Sequence, residues 1–509
     1  MRSGHRTPAI AFFLLTWLLG ALWALATPVM GVPDEPAHVV RAASVVRGQV
    51  LDNSTMEQDG KTVASARVPE TLAWPPTPCY ALHVDLTPAC ETAPQGRGDV
   101  LVEVESKAAG YNPVYYALVG VPTLVAPGKS TVYVMRFLTA GLVAALVALA
   151  ALALTELRAP RWGLVGLAAA VTPMVLFLAG SVNPNAVEIG AGLALWAALL
   201  AWFSQPDPAL DRSRAIRAAV AGTVLVLSRG LAPGFFVLIV AGSLLLLPRG
   251  EWRRTASVAR IPIAVVGAAT VVALAWTASV GSVWTGGVAH PEYEGLRRYV
   301  HDMLVSLNGF ERQMIGVFGW LDTPAPEHVY TLWIGILGFL VFAVLAIGGR
   351  RERLLVLGLL ALSVLFPIVA QYPAATTLGL IWQGRYHLPL MVGLPLVAGV
   401  VLASSERWEA LTAGRWAFWA PVGTLAVLQV GSYLQALHRN VIGLAADWFG
   451  FQPLWQPPLG WVALTLAYAC AVAAWTVSLV RLGSVPRPST ATRFGNERVS
   501  AVPEARRAP

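Results

Sequence analysis

Apolar runs recur along this whole chain, and they constrain its fold more than any other feature of the sequence. Each run has about 20 residues, enough for an α-helix to cross the ~30 Å hydrocarbon core of a bilayer. Hydrophobic residues make up 56% of the chain and charged residues 13%, so a water-soluble fold could not cover its apolar surface with polar groups. The sequence therefore predicts an all-α, polytopic transmembrane protein and excludes a cytosolic enzyme or a disordered chain.

The apolar runs predict about twelve spans, give or take one. They lie near 9–29, 131–155, 162–181, 185–203, 215–228, 231–248, 257–280, 329–348, 353–370, 387–403, 416–436 and 459–480. The run at 9–29 is longer than a usual signal peptide and precedes further spans, so we interpret it as an uncleaved first helix. Between 215 and 248, two short spans and one kinked helix both remain open.

The basic residues indicate an orientation. Arginines cluster in alternate connections, which by the positive-inside rule places both termini in the cytoplasm. A transmembrane domain at 1–484 then carries long extracytoplasmic loops at 30–130, 281–328 and 437–458, and 485–509 is a disordered basic cytoplasmic tail. The net charge is +8, but no basic face is interleaved with aromatic residues, so the expected partner is the lipid bilayer of the cell membrane and not nucleic acid.

Cysteines give little chemistry. Cys79 and Cys90 lie in the segment 30–130, which we call the first loop. Two interpretations stay open for them: a disulfide, if the loop faces an oxidising compartment, or two free thiols. No Cys/His cluster has the spacing of a zinc site, and no metal site is predicted.

The sequence Pro-Asp-Glu-Pro-Ala-His, directly after the first span, is the most informative motif. Pro36 suits the first turn of a helix, and 36–47 is predicted as a short helix at the outer membrane surface. His38 and Arg41 follow one stripe of that helix, with Asp34 near its start. Helix capping with a solvated face is the alternative explanation of these polar residues.

This motif resembles the opening of a bacterial multi-pass membrane family known as domain of unknown function 2142, which is grouped with the C-type glycosyltransferases (GT-C fold). Further elements are similar to that family in order and spacing. They are Asn112-Pro113-Val114-Tyr115-Tyr116, Arg136, Ser181-Val182-Asn183-Pro184-Asn185-Ala186, Phe318-Gly319-Trp320-Leu321-Asp322 and Gln383-Gly384-Arg385-Tyr386-His387-Leu388-Pro389. Two positions depart from the pattern: Asn112 stands where the family has Pro, and Asn185 where it has Asp. The second departure weakens any metal site there.

The resemblance implies a GT-C-like fold whose large first extracytoplasmic loop carries juxtamembrane helices. It also implies an inverting glycosyltransferase that uses a polyprenyl-phosphate sugar donor outside the membrane to build cell-envelope glycan or glycolipid. The acceptor, a glycan, lipid or protein, needs a base, and the departing phosphate needs cations. Asp34 is the candidate base. Glu35 is the alternative, or a ligand for a divalent cation such as Mg²⁺ or Mn²⁺, which the reaction does not require.

Arg385 is the candidate clamp for the phosphate, with Arg229 second and His387 as a hydrogen-bond donor. Each has another explanation: Arg385 could anchor a helix end at the head groups, and Arg229 could pair with the buried Glu188. The other substrate-binding candidates share the same predicted membrane face: His38, Arg41, Tyr115, Tyr116, Asn183, Asp322 and Tyr386. The competing functions are a transporter or flippase of a lipid-linked or small polar substrate, and a scaffold without catalysis.

Overall fold

A computed structural model describes residues 6–51, 54–58, 61–280, 289–448 and 452–484. The predicted tail at 485–509 lies outside these residues. The helices and strands follow the chain as α1 (Arg6–Ala26), α2 (Glu35–Val45), β1 (Thr55–Gln58), β2 (Lys61–Pro69), β3 (Leu101–Glu105), α3 (Pro113–Val119), α4 (Lys129–Leu154), α5 (Pro160–Ala170), α6 (Pro173–Ala179), α7 (Pro184–Ser204), α8 (Asp211–Val226), α9 (Ala232–Leu244), α10 (Trp252–Val280), α11 (Leu296–Val305), α12 (Leu307–Gly316), β4 (Val317–Phe318), β5 (Thr323–Pro324), α13 (Glu327–Ile347), α14 (Arg350–Gln371), α15 (Ala375–Leu378), α16 (Gly384–Met391), α17 (Gly393–Ala403), α18 (Glu406–Leu411), α19 (Arg415–Ile442) and α20 (Trp461–Ser484).

Membrane-length helices dominate the fold. Nine helices of the described part of the chain are long and apolar enough to cross a bilayer: α1, α4, α7, α10, α13, α14, the joined α16–α17, α19 and α20. A tenth span results if α5 and α6, which meet at a 65° bend, count as one. Pro173 begins α6, and proline cannot continue a preceding helix without losing a backbone hydrogen bond. The predicted polytopic helical fold is confirmed.

The predicted number of about twelve spans is not confirmed, and the difference lies between 211 and 244. That region forms two separate helices, α8 with 16 residues and α9 with 13. Thirteen residues span only about 20 Å, less than a bilayer core. The break falls at Ser228, Arg229 and Gly230, so the kinked single helix is not what forms.

Helix α7 lies at the centre of the bundle, where it packs against α4, α8, α9, α16 and α17. Its whole apolar window is buried. At Gly192 a side chain would overlap the main-chain oxygen of Pro389, so α16 approaches α7 closely. This contact brings the start of α16, with Arg385, against the start of α7, with Asn185, whose side-chain amide lies 3.3 Å from the Arg385 carbonyl oxygen.

The first loop is a folded unit and not a simple connection. It contains α2, α3 and an antiparallel sheet in the order β1-β2-β3, with Ser65 opposite Glu105. The helix predicted at 36–47 is present as α2, but ten of its 11 residues are buried. Since α3 and β2 pack over it, α2 does not present a solvated face at the membrane surface as expected.

A disulfide joins Cys79 to Cys90 within the first loop. Next to it, the carbonyl oxygens of Tyr80 and His83 accept hydrogen bonds from Arg439 near the end of α19, at 2.7 and 3.1 Å. The crosslinked segment is therefore attached to the helix bundle, and its order depends on the loop that the disulfide closes.

Removing this disulfide is expected to destabilise the protein. Replacing both Cys79 and Cys90 by Ser should lower the free energy of unfolding by about 3 kcal/mol, since the unfolded chain regains loop entropy. The melting temperature of the purified protein in detergent should fall by a few degrees. Cys470→Ser is the matched control, because Cys470 is a free, exposed thiol and its loss should leave melting unchanged. An unchanged melting temperature in the double variant would contradict a stabilising crosslink.

Candidate active site

Two neighbouring carboxylates at the start of α2 point in different directions. Asp34 precedes the helix with φ 68°, in the left-handed region. Asp and Asn tolerate that conformation better than most residues because their short side chains bond locally. The turn leaves the Asp34 side chain 51% exposed, whereas that of Glu35 is completely buried. The two acids therefore have different environments and different chemical uses.

Glu35 is held in a buried ion pair with Arg136 of α4. Nε and Nη2 of Arg136 donate to the Glu35 carboxylate at 2.8 and 2.5 Å, and the backbone N–H of Val182 donates to it at 3.0 Å. Arg136 also donates to three carbonyl oxygens within 24–28. Because Glu35 is engaged by these donors and excluded from solvent, its position fits a structural anchor joining α1, α2, α4 and the loop before α7, and not a base.

Asp34 instead faces Arg385 at the start of α16. The Asp34 carboxylate accepts a hydrogen bond from Nη2 of Arg385 at 2.5 Å, and Nε of Arg385 donates to the Gln383 side chain at 2.6 Å. Burial alone would raise the pKa of Asp34, but the guanidinium of Arg385, with a smaller contribution from Arg229, holds it below its ordinary value. Asp34 is thus an ionised, half-exposed carboxylate at neutral pH.

Arg229, in the break between α8 and α9, is the second cation of the site. Its side chain is 17% exposed and pairs with the buried Glu188 of α7 at 3.2 Å. It also donates to the Tyr111 hydroxyl at 3.4 Å. The guanidinium groups of Arg229 and Arg385 lie 5.0 and 5.2 Å from the centre of the Tyr386 ring. One aromatic ring thus adjoins both cations, beside the half-exposed Asp34.

His38 and Arg41 are both buried on α2. Nδ1 of His38 shares a 2.8 Å hydrogen bond with the Tyr116 hydroxyl. Burial lowers the pKa of His38 to about 3, with Arg229 and Arg385 adding to the effect against Asp34, so the ring is neutral near pH 7. Arg41 donates to main-chain oxygens of the first loop, among them that of Tyr111 at 3.1 Å, and its place is that of a loop anchor.

The tyrosine pair and Asn183 are also buried. The Tyr115 hydroxyl shares a 2.8 Å hydrogen bond with Thr139 of α4. The Asn183 side chain accepts from the backbone N–H of Asn185 at 3.0 Å and so caps α7. These three candidates line up with packing and helix capping around the site, and none of them presents a free polar group at the Asp34–Arg385 pair.

Asp322 and His387 fall in different surroundings. The Asp322 carboxylate accepts from the backbone N–H of Leu82 at 2.9 Å and from Arg439 at 3.4 Å, which ties the first loop to α19. His387 is completely buried, and its Nδ1 accepts from the indole N–H of Trp382 at 3.2 Å. Nε2 of His387 has no hydrogen-bond partner among the described residues.

Three contributors were not among the predicted site residues: Glu188, Tyr111 and Gln383. Glu188 carries the clearest signal, since an acid inside an apolar helix needs a partner. Gln383 precedes Arg385 within the Gln-Gly-Arg-Tyr motif. Tyr111 has no signal in the sequence, because its role depends on how the first loop folds over Arg229.

The described residues contain no group of three or more His, Cys, Asp or Glu side chains that could hold a metal ion. Asp34 and Glu35 diverge, and Arg136 already engages both oxygens of Glu35. Glu35 therefore does not fit the role of a divalent-cation ligand beside Asp34.

Comparison with known proteins follows from this geometry. Two solved structures are similar over most of the chain: ArnT from Cupriavidus metallidurans bound to undecaprenyl phosphate, and the same protein in the apo state. The first is 15% identical with a TM-score of 0.44, covering 95% of this chain and 77% of that one. The second is also 15% identical, with a TM-score of 0.42 and coverage of 94% and 77%. At these values neither likeness supports an argument about chemistry.

No curated protein sequence matches this chain. A family model described as a predicted membrane protein (DUF2142) matches residues 16–394, which include Asp34, Arg229 and Arg385. The chain belongs to this family, domain of unknown function 2142.

Proposed function

We propose that this protein is an integral-membrane glycosyltransferase that uses a polyprenyl-phosphate-linked sugar as donor. The observation that carries the proposal is the half-exposed Asp34 carboxylate paired with Arg385, while Arg229 and Arg385 lie against the same Tyr386 ring. One ionised carboxylate suits a base for an acceptor hydroxyl, and two arginines suit a phosphate. Resemblance of the motifs to C-type glycosyltransferases supports the same assignment.

The proposed reaction is a single displacement with inversion. The acceptor oxygen bonds to the anomeric carbon, the bond from that carbon to the phosphate oxygen breaks, and Asp34 takes the hydroxyl proton. The leaving polyprenyl phosphate gains one unit of negative charge, which Arg385 and Arg229 stabilise. No general acid is needed, because the leaving group is already a phosphate.

We further propose that this site faces the extracytoplasmic side of the cell membrane and serves cell-envelope glycan or glycolipid assembly. Two features support that orientation. The arginine clusters follow the positive-inside rule with both termini in the cytoplasm. The disulfide between Cys79 and Cys90 belongs to the first loop, and disulfides persist in oxidising compartments.

Replacing Arg385 by Gln tests the phosphate role. The variant should lower kcat/KM for the lipid-linked donor by about a hundredfold, because one charged donor to the departing phosphate is lost. Release of prenyl phosphate from the donor by the purified full-length protein is the measurement. Arg385→Lys should recover only part of the loss, since lysine lacks the planar fork of donors. Unchanged release in Arg385→Gln would remove Arg385 from the proposed site.

A transporter or flippase of a lipid-linked substrate is the second candidate, favoured by the fully buried Glu188 in the central helix α7. The two functions differ in a single result. In liposomes containing the protein, a transferase cleaves the sugar from its prenyl phosphate when acceptor is present. A flippase moves the intact donor between leaflets.

A further inference from the structure

The two arginines of the site each have their own carboxylate, and these carboxylates differ in freedom. Arg385 pairs with Asp34, whose side chain is 51% exposed. Arg229 pairs with Glu188, which is completely buried. A half-exposed carboxylate can turn away when an anion approaches, whereas one enclosed in the central helix α7 has no room to leave.

Glu188 is built into a fixed arrangement behind the site. Its Oε2 accepts from Nδ2 of Asn185 at 3.0 Å and from Nη1 of Arg229 at 3.2 Å. The same amide of Asn185 lies 3.3 Å from the carbonyl oxygen of Arg385. Oε1 of Glu188 has no hydrogen-bond partner among the described residues. A single carboxylate thus fixes Arg229 and is linked through Asn185 to the backbone that carries Arg385.

Arg229 retains hydrogen-bonding capacity for a ligand. A guanidinium has five N–H groups, and two hydrogen bonds join that of Arg229 to other described side chains, Glu188 and the Tyr111 hydroxyl. Its position against the Tyr111 and Tyr386 rings, 5.6 and 5.0 Å from their centres, restricts where it can move. Arg229 is held in place and still has donors to offer an anion.

We infer that Glu188 is a positioning residue that holds Arg229 at the donor site and, as its permanent counter-charge, limits how tightly a prenyl phosphate binds. This inference rests on the proposed function. The reaction turns a singly charged phosphodiester into a more highly charged prenyl phosphate that must leave. Two arginines without counter-charge would hold that product strongly, whereas Glu188 offsets one of them permanently and Asp34 offsets the other only until the phosphate displaces it.

The test is the affinity of the purified full-length protein in detergent for farnesyl phosphate, a short prenyl phosphate. Glu188→Gln preserves shape and a hydrogen-bond acceptor but removes the negative charge, so it should bind farnesyl phosphate about tenfold more tightly than wild type. Arg229→Gln should bind about tenfold more weakly, since it loses a cation and leaves Glu188 unpaired. The double variant Glu188→Gln/Arg229→Gln restores the charge balance and should fall between Arg229→Gln and wild type.

A merely structural role of Glu188 gives a different order. Glu188→Gln would then bind as wild type or more weakly, and the double variant would bind no better than Arg229→Gln; either result overturns the inference. If Glu188→Gln does not fold, the comparison of the double variant with Arg229→Gln still decides, because the double variant leaves no unpaired buried charge.

A matched control and the wild type separate the two proposals. Glu156 pairs with Arg214 at 2.8 Å just beyond the far end of α4, about 30 Å from Arg136 along the helix. Glu156→Gln should leave farnesyl phosphate affinity unchanged, and a tenfold gain there would overturn the inference. If the wild type binds no farnesyl phosphate, the proposed function fails together with the inference. If it binds but the predicted order does not appear, the inference alone fails.

Discussion

Replacing Asp34 by Asn is expected to lower the rate of sugar transfer about a thousandfold, while the protein folds and inserts as before. Asn has nearly the same shape and tolerates the left-handed conformation at φ 68°, but it cannot accept the proton of the acceptor hydroxyl. The measurement is the release of prenyl phosphate from a lipid-linked sugar donor by equal amounts of purified wild type and variant.

Asp99→Asn is the matched control for this prediction. Asp99 lies in the same loop, pairs with Arg97, and its side chain is 68% exposed. Because Asp99 is not next to Arg385 or Arg229, its neutral form should keep the wild-type rate. Asp34 is not the base if Asp34→Asn, correctly folded, transfers sugar within about threefold of wild type.

The largest effect on stability is expected at Arg136. Replacing it by Gln leaves Glu35 buried without a charged partner, and removing one member of a buried ion pair costs about 3–5 kcal/mol. Three main-chain oxygens at the end of α1 also lose their donor. We expect a low yield and a clearly lower melting temperature, measured on protein purified in detergent.

Glu35→Gln should be destabilised in the same way, and the double variant Glu35→Gln/Arg136→Gln should recover part of the loss, because it leaves no unpaired charge. Arg97→Gln serves as a control, since the Arg97 side chain is 75% exposed and its ion pair is screened by water. Melting of Arg136→Gln at the wild-type temperature would contradict the anchoring role. Adjacent carboxylates therefore have opposite expected phenotypes: Asp34 affects the rate and Glu35 affects stability.

Hydropathy predicts most of this fold, because a helix in lipid must be both long and apolar, and those properties are visible in the chain. It fails at 211–244, where the apolar residues continue across Ser228, Arg229 and Gly230 although the helix does not. It also gives no sign of the sheet β1-β2-β3, whose pairing depends on contacts between Ser65 and Glu105 that lie 40 residues apart in the chain.

The site is predictable in its members and not in their roles. Motif order indicates Asp34 and Arg385 as candidates, but their pairing across 351 residues depends on how α2 and α16 pack. Sequence alone cannot separate Asp34 from Glu35, because the difference arises from one backbone angle. The pairing of Arg229 with Glu188 was one of two alternatives that the sequence left open, and the buried position of α7 decides it.

The most direct test of the proposed function is the lipid composition of the source organism after deletion of the gene. Extracted prenyl-phosphate-linked sugars and envelope glycan are measured by mass spectrometry, with the gene restored as wild type or Asp34→Asn. We predict that deletion removes a sugar from the envelope and accumulates its prenyl-phosphate donor, that wild type reverses both, and that Asp34→Asn reverses neither. Full restoration of the envelope sugar by a normally inserted Asp34→Asn protein would contradict glycosyl transfer at this site.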